Sequence, residues 1–164
     1  MSQTEQRIKT REELPPEMCW DLTSLYASEQ DWENDFQKLD SLVKDYQSFQ
    51  GHLKDSAATL KQAFETADRL YLIMEQLCVY AHLKNDEDTT NTVNSGRYNR
   101  ISSKAAEISG ETAWFLPEIM KMEPEVFNTM KNAPELAFYQ RTFREIERKR
   151  AHILTQAEER ILGM

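Results

Sequence analysis

Between Leu53 and Ala81 an apolar residue recurs every three or four positions: Leu53, Ala57, Leu60, Phe64, Ala67, Tyr71, Met74, Cys78 and Ala81. A strand repeats every two residues and cannot use such a row, whereas a helix lays it along one face. A second row, Leu70, Ile73, Leu77 and Tyr80, thickens the apolar face past the midpoint. A helix apolar on two faces is covered from two sides. The spacing therefore predicts a central helix from Leu53 or Asp55 to Leu83, around which the rest of the chain must pack.

The flanking segments are helical by the same reasoning. Ser28 with Asp31 fits an N-terminal cap, and Trp32, Phe36, Leu39, Val43 and Tyr46 then share one face, with Gly51 as the stop. A third helix is expected from Asp88 to Met122, capped by Asp88 or Thr89. Its face is marked by Val93, Ile101, Ala105, Ile108, Thr112, Phe115, Ile119 and Met122. Pro117 should kink or interrupt it, and Gly110 weakens the same region by about 1 kcal/mol relative to Ala.

Pro124 and Pro134 fit first helical turns, opening helices over 125–131 and 135–150, the latter with Leu136, Tyr139, Phe143 and Ile146 inward. Thr155 and Glu158 make a capping box for a final helix that reaches Met164 after barely two turns. Pro15-Pro16 bars a helix near the start. Residues 1–27 are thus an irregular arm, its first ten residues loose, with Trp20, Leu22, Leu25 and Tyr26 able to pin it. Only 4 glycines and no alternating β-branched runs argue against a sheet. The expected fold is all-α: a long antiparallel helical hairpin or bundle over 28–164, packed near ~20°, with shorter helices at its C-terminal end.

A chain of 164 residues, 40% hydrophobic and 29% charged, fits one globular domain. Its net charge of −8 is uneven: residues 1–82 hold 15 acids and 8 bases, residues 83–164 hold 13 and 12. Acidic surfaces repel phosphate backbones and anionic lipid, so neither nucleic acid nor membrane is an expected partner. Cys19 and Cys78 form neither a disulfide framework nor a C-x-x-C metal pair; Cys78 is expected in the core. The N-terminus carries no apolar signal region and no stretch is long enough to span a bilayer. A cytoplasmic protein is expected.

Catalytic chemistry is hard to assemble from these residues. His52, His82 and His152 are far apart, and none is followed by Glu, so the H-E-x-x-H zinc motif is absent. His82 reads as a helix-end cation. Asp86-Glu87-Asp88 lacks calcium-loop spacing and reads as a turn with acids at the positive end of the next helix. Arg144, Arg148, Lys149 and Arg150 read as a solvated, dipole-matched face, with Glu145 and Lys149 paired at i, i+4. Trp114-Phe115 and Phe138-Tyr139 would line a peptide groove if exposed and a core otherwise. No catalytic, cofactor-binding or metal-binding residue is assigned.

Several short motifs carry a family resemblance. They are Trp20-Asp-Leu-Thr-Ser-Leu-Tyr26, Phe49-Gln-Gly-His-Leu53, Tyr80-Ala-His-Leu-Lys-Asn-Asp-Glu-Asp-Thr-Thr-Asn91, and Arg148-Lys-Arg-Ala-His-Ile-Leu-Thr155 followed by Glu158-Glu159 and Ile161-Leu162. In this order and spacing they resemble the N-terminal region of oligoendopeptidase F, among the thimet-oligopeptidase-like zinc peptidases. The resemblance implies an all-helical wall and lid over a deep channel that admits short peptides and limits their size. Zinc and the catalytic residues would come from the remainder of the peptidase, and this piece alone would be inactive. His152 would fix a turn between helices or, alternatively, touch substrate. A truncated piece would leave apolar helix faces exposed, and these would favour a homo-oligomer. The rival reading is a stand-alone helical protein-interaction module.

Overall fold

The computed structural model describes residues 13–150. The first ten residues expected to be loose, His152, the expected Thr155–Glu158 capping box and the expected final helix fall outside them. Among the described residues every regular element is helical, so the all-α expectation is borne out. The α-helices are α1 (Glu29–Gln47), α2 (Ala57–Glu87), α3 (Thr92–Thr112), α4 (Phe115–Met120), α5 (Pro124–Lys131) and α6 (Gln140–Arg150). Short 3-10 helices occupy Pro16–Met18, Leu22–Ser24 and Pro134–Tyr139. The arm is thus less irregular than expected. Prolines bar an α-helix there but suit the first position of a tight turn.

Local chemistry sets each boundary. Ser28 Oγ accepts from the Asp31 N–H at 3.2 Å and donates to the Asp31 carboxylate at 2.7 Å, which starts α1 as expected. α1 ends at Gln47, before Gly51, because the Phe49 and Gln50 N–H groups bond three residues back and tighten the last turn. Gly51 still serves the turn, with φ of +86°. α2 begins later than expected, at Ala57, because Ser56 Oγ accepts from the Thr59 N–H at 3.0 Å. It also runs on to Glu87. Asn91, not Asp88 or Thr89, caps α3, accepting from the Val93 and Asn94 N–H groups. The predicted third helix breaks at Ala113-Trp114, upstream of Pro117. A proline ring clashes with the carbonyl four residues back, and for Pro117 that residue is Ala113. Pro124 opens α5 as expected. Pro134 opens a 3-10 segment rather than an α-helix, and α6 follows only from Gln140.

The described chain forms two compact units, one from 13–40 and 70–108, the other from 41–69 and 109–150. In the first, Trp32 is buried and donates its indole N–H to the Leu77 carbonyl at 3.1 Å. Tyr26 packs edge-on against Tyr80, so Tyr26 and buried Leu22 pin the arm while Trp20 stays 55% exposed. The pairings 84–94 and 82–98 make α2 and α3 an antiparallel hairpin. The pairings 29–97, 33–100 and 40–104 make α1 parallel to α3.

The second unit centres on Leu53, Leu60, Phe64, Ile119, Leu136 and Phe143. Phe64 stacks on Tyr139 at 4.3 Å and meets Phe115 and Phe143 edge-on. All four residues expected on the last helix's inward face, Leu136, Tyr139, Phe143 and Ile146, are buried.

Two face assignments need correction. Val93 is 63% exposed at the start of α3, although Asn94 and Ser95 beside it already meet α2. Tyr71 is also exposed and Cys78 only half-buried, because the buried row of α2 drifts from the first stripe to the second. Seven residues fall about 20° short of two full turns of an α-helix, so a strict heptad row slides around it. Phe143 shows how much the second unit depends on ring packing. Phe143→Ala removes a fully buried ring touching Phe64 and Phe127, and denaturant unfolding should show a loss of about 3–5 kcal/mol.

Candidate functional site

Two surface features gather polar side chains. The first lies between α1 and α3 in the first unit. Arg97 is buried and pairs with Glu29 at 2.9 Å. Arg100 grips Glu33 through both guanidinium nitrogens, at 2.9 Å each. Lys104 pairs with Asp40 at 2.6 Å. The bases recur at helical spacing on α3 and the acids on α1, which aligns the three pairs into a ladder. Arg100 also lies 4.5 Å over the Phe36 ring, and Arg97 lies 5.6 Å from the Trp32 ring. Trp32 and Phe36 stack at 5.2 Å, so the ladder rests on an aromatic floor. The Arg100 hydrogen bonds hold the Glu33 carboxyl below its usual range. The Asp40 contact raises the Lys104 ammonium. Two clefts of about 690 and 560 Å³ flank this ladder and share Glu33, Gly96 and Arg100.

The second feature is in the other unit. Glu118 on α4 accepts from the Gly51 N–H at 2.8 Å and the Leu53 N–H at 3.1 Å. That carboxylate ties the turn before α2 to α4. Beside it opens a cleft of about 480 Å³ with Trp114, Pro117 and Met122 on its walls and Lys54 and Lys121 at its edge.

The residues singled out in the sequence do not converge. His52 is exposed, with Nδ1 2.8 Å from Asp55. His82 stacks on Tyr98 and lies 3.3 Å from Asp86. It sits on the exposed side of α2, five residues before the helix ends. The acidic triplet does form a turn: Asp88 accepts from the Thr90 N–H and hydroxyl, which holds its carboxyl low. Glu145 pairs with Arg141, four residues before it, at 3.1 Å, rather than with Lys149, four residues after it. Arg150 folds back, 4.4 Å over the Phe127 ring, and donates to the Met122 carbonyl at 2.8 Å. Trp114 and Phe115 are half-buried in the aromatic cluster with Tyr46. Phe138 is 86% exposed while Tyr139 is buried.

Among the described residues no three His, Cys, Asp or Glu side chains are placed to hold a metal ion, so these residues do not fit a zinc centre. What the two features can do is bind and position. The ladder and the Glu118 clamp were missed in the sequence reading. The spacing of Arg97, Arg100 and Lys104 was a visible signal, but their partners lie on a helix more than sixty residues away.

Comparison with known proteins places this architecture. A family model described as Oligopeptidase F matches residues 118–164. The plasmid oligoendopeptidase F of Lactococcus lactis subsp. cremoris is 35% identical over 163 residues, which cover 94% of this chain and 26% of that protein. The crystal structure of oligoendopeptidase-F from Enterococcus faecium superposes with a TM-score of 0.67 at 33% identity, over 82% of this chain and 27% of that one. A solved Chlamydophila abortus protein superposes with a TM-score of 0.82 at 29% identity, over 96% of this chain and 27% of that one. The chain thus spans about a quarter of the length of the proteins it matches. The resemblance read from its motifs is borne out.

Two measurements check this geometry. Glu118→Ala removes the shared acceptor of two backbone donors, one of them part-buried, and should cost about 1–3 kcal/mol in chemical unfolding. Burial, then Asp35, raises the Tyr26 phenol; burial, then Asp68, raises that of Tyr139. A phenol whose folded pKa is raised stabilises the fold fully below its unfolded value near ~10 and loses that contribution as pH climbs toward the folded value. Tyrosinate absorbance should therefore show Tyr26 and Tyr139 ionising late, and Tyr139→Phe should remove one late-ionising tyrosine and flatten the alkaline loss of stability.

Proposed function

We propose that this chain, which matches the N-terminal region of oligoendopeptidase F, is the helical N-terminal part of a zinc-dependent peptidase that hydrolyses short peptides. In this reading residues 1–27 are an arm and residues 28–164 a helical domain. The domain walls a substrate channel and limits the length of peptide that enters. It contributes no catalytic centre. Peptide-bond chemistry, and the zinc that would supply it, belong to the three-quarters of the relatives that this chain does not match.

One observation carries the reading. Similarity runs over 94% of this chain but covers only 26% of the Lactococcus relative. The described residues add support of a physical kind: an ion-pair ladder joins α1 to α3, and aromatic packing ties the second unit together. The reading includes a cytoplasmic location. Both cysteines are free thiols, and among the described residues no helix is long and apolar enough to cross a membrane.

The test is turnover of quenched fluorogenic peptides, with zinc added, by this chain and by the longest product of its gene. The chain alone should show none. The longer product should cleave short peptides, with the rate falling as the peptide lengthens. Zinc-dependent cleavage by the 164-residue chain alone would overturn the assignment, and so would a longer product indifferent to peptide length.

A further inference from the structure

The groove between α1 and α3 in the first unit holds a residue that packing does not explain. Gly96 stands in the second turn of α3, where glycine weakens a helix relative to alanine. Nothing nearby demands it, since a Cβ built there meets no atom within 4 Å. Gly96 is also where two clefts of about 690 and 560 Å³ meet, together with Glu33 and Arg100. Gly110 has the same open space but lines neither cleft. A glycine at the junction of two clefts lets a second backbone come close to the helix.

We propose that this groove binds a short extended peptide whose backbone passes over Gly96. The proposal rests on the peptidase function proposed above and gives the peptide a place on this domain. Charge and length select the occupant. The α1 wall offers Glu29, Glu33 and Asp40, and the α3 wall Arg97, Arg100 and Lys104. Three acids face three bases, so the groove favours neither a polyanion nor a polycation, while a zwitterion finds a partner for each of its charges. Glu29 is 66% exposed, Asp40 69% and Arg100 50%. Ion pairs this open are weak and can exchange with the charges of a ligand. Half-buried Phe36 adds an apolar patch between them. From residue 29 to residue 40 the α1 wall is about 16 Å long, the span of about five extended residues.

The test is an NMR titration of the isotope-labelled chain with the unlabelled peptide Lys-Ala-Leu-Ala-Glu, free at both ends. The chain has only 4 glycines, which makes their amide signals simple to assign. The Gly96 signal should move saturably by about 10 mM peptide, while those of Gly51 and Gly110 stay in place. Gly96→Ala should raise the thermal midpoint by about 2–4 °C. It should also weaken binding about tenfold or more, read from the Arg97 and Arg100 amides. Gly110→Ala should raise the midpoint too and leave the affinity unchanged. A Gly96 signal that does not move at the highest peptide concentration would overturn the proposal. So would full affinity in Gly96→Ala, or a lowered midpoint, which would make the glycine a packing requirement. Shifts at the same amides on concentrating the chain without peptide would assign the groove to a second copy instead. The titration does not read turnover. A silent groove beside turnover by the longer gene product therefore rejects this site alone, and a filled groove without turnover rejects the peptidase function alone.

Discussion

The buried row of α2 slides around the helix as it advances. Leu60, Phe64 and Ala67 face inward in its first half, while Leu70, Leu77 and Tyr80 do so in its second. Each compact unit takes its core from one of these halves, so the other elements are arranged to suit them. In one unit the Phe64 ring fixes where Phe115, Tyr139 and Phe143 must stand. In the other, Leu77 offers both a side chain to the core and a carbonyl to the Trp32 indole. A single ring or methyl group removed from such a row is felt across several elements, because interiors are packed to crystal-like density.

Most of the architecture was legible in the sequence because it rests on local rules. Spacing of three and four revealed the helices. Ser28, Pro124 and the inward row of the last helix landed where cap and turn chemistry put them. The misses came from competition between neighbours. Ser56 set the start of α2 later than the expected Leu53 or Asp55, and Asn91 took the α3 cap expected of Asp88 or Thr89, since several Ser, Thr, Asp and Asn residues crowd each boundary and only backbone geometry selects among them. Tyr71 and Cys78 looked like core because a flat heptad row ignores the drift of a real helix. The α1–α3 ladder and the Glu118 clamp could not be read at all. Each joins residues more than sixty positions apart, and charge alone does not say which acid meets which base.

Similarity to oligoendopeptidase F extends along nearly the whole chain, and the helices superpose on solved relatives. The chemistry implied by that resemblance has no counterpart among the described side chains, whose acids serve as caps, turn anchors and ion-pair partners. Asp88 closes a turn, Glu118 gathers two amides, and Glu33 holds an arginine flat against a phenylalanine. Carboxylates used in this way hold positions and are poorly placed to move protons.

The hairpin of α2 and α3 has a consequence for the order of assembly. Its bonds join residues close in sequence: the Asn94 side chain donates to the Lys84 carbonyl and Ser95 to the Asn85 side chain, each ten residues apart. The ladder that seats α1 spans 67 residues. Closing a long loop costs more chain entropy than closing a short one, and long-range contacts form late. The four-residue turn 88–91, stiffened by Asp88 and Asn91, therefore makes the hairpin the early structure, and α1 docks onto a surface already built. During synthesis α1 is the first of these helices to emerge, yet it must wait for more than forty further residues before its ladder partners on α3 exist.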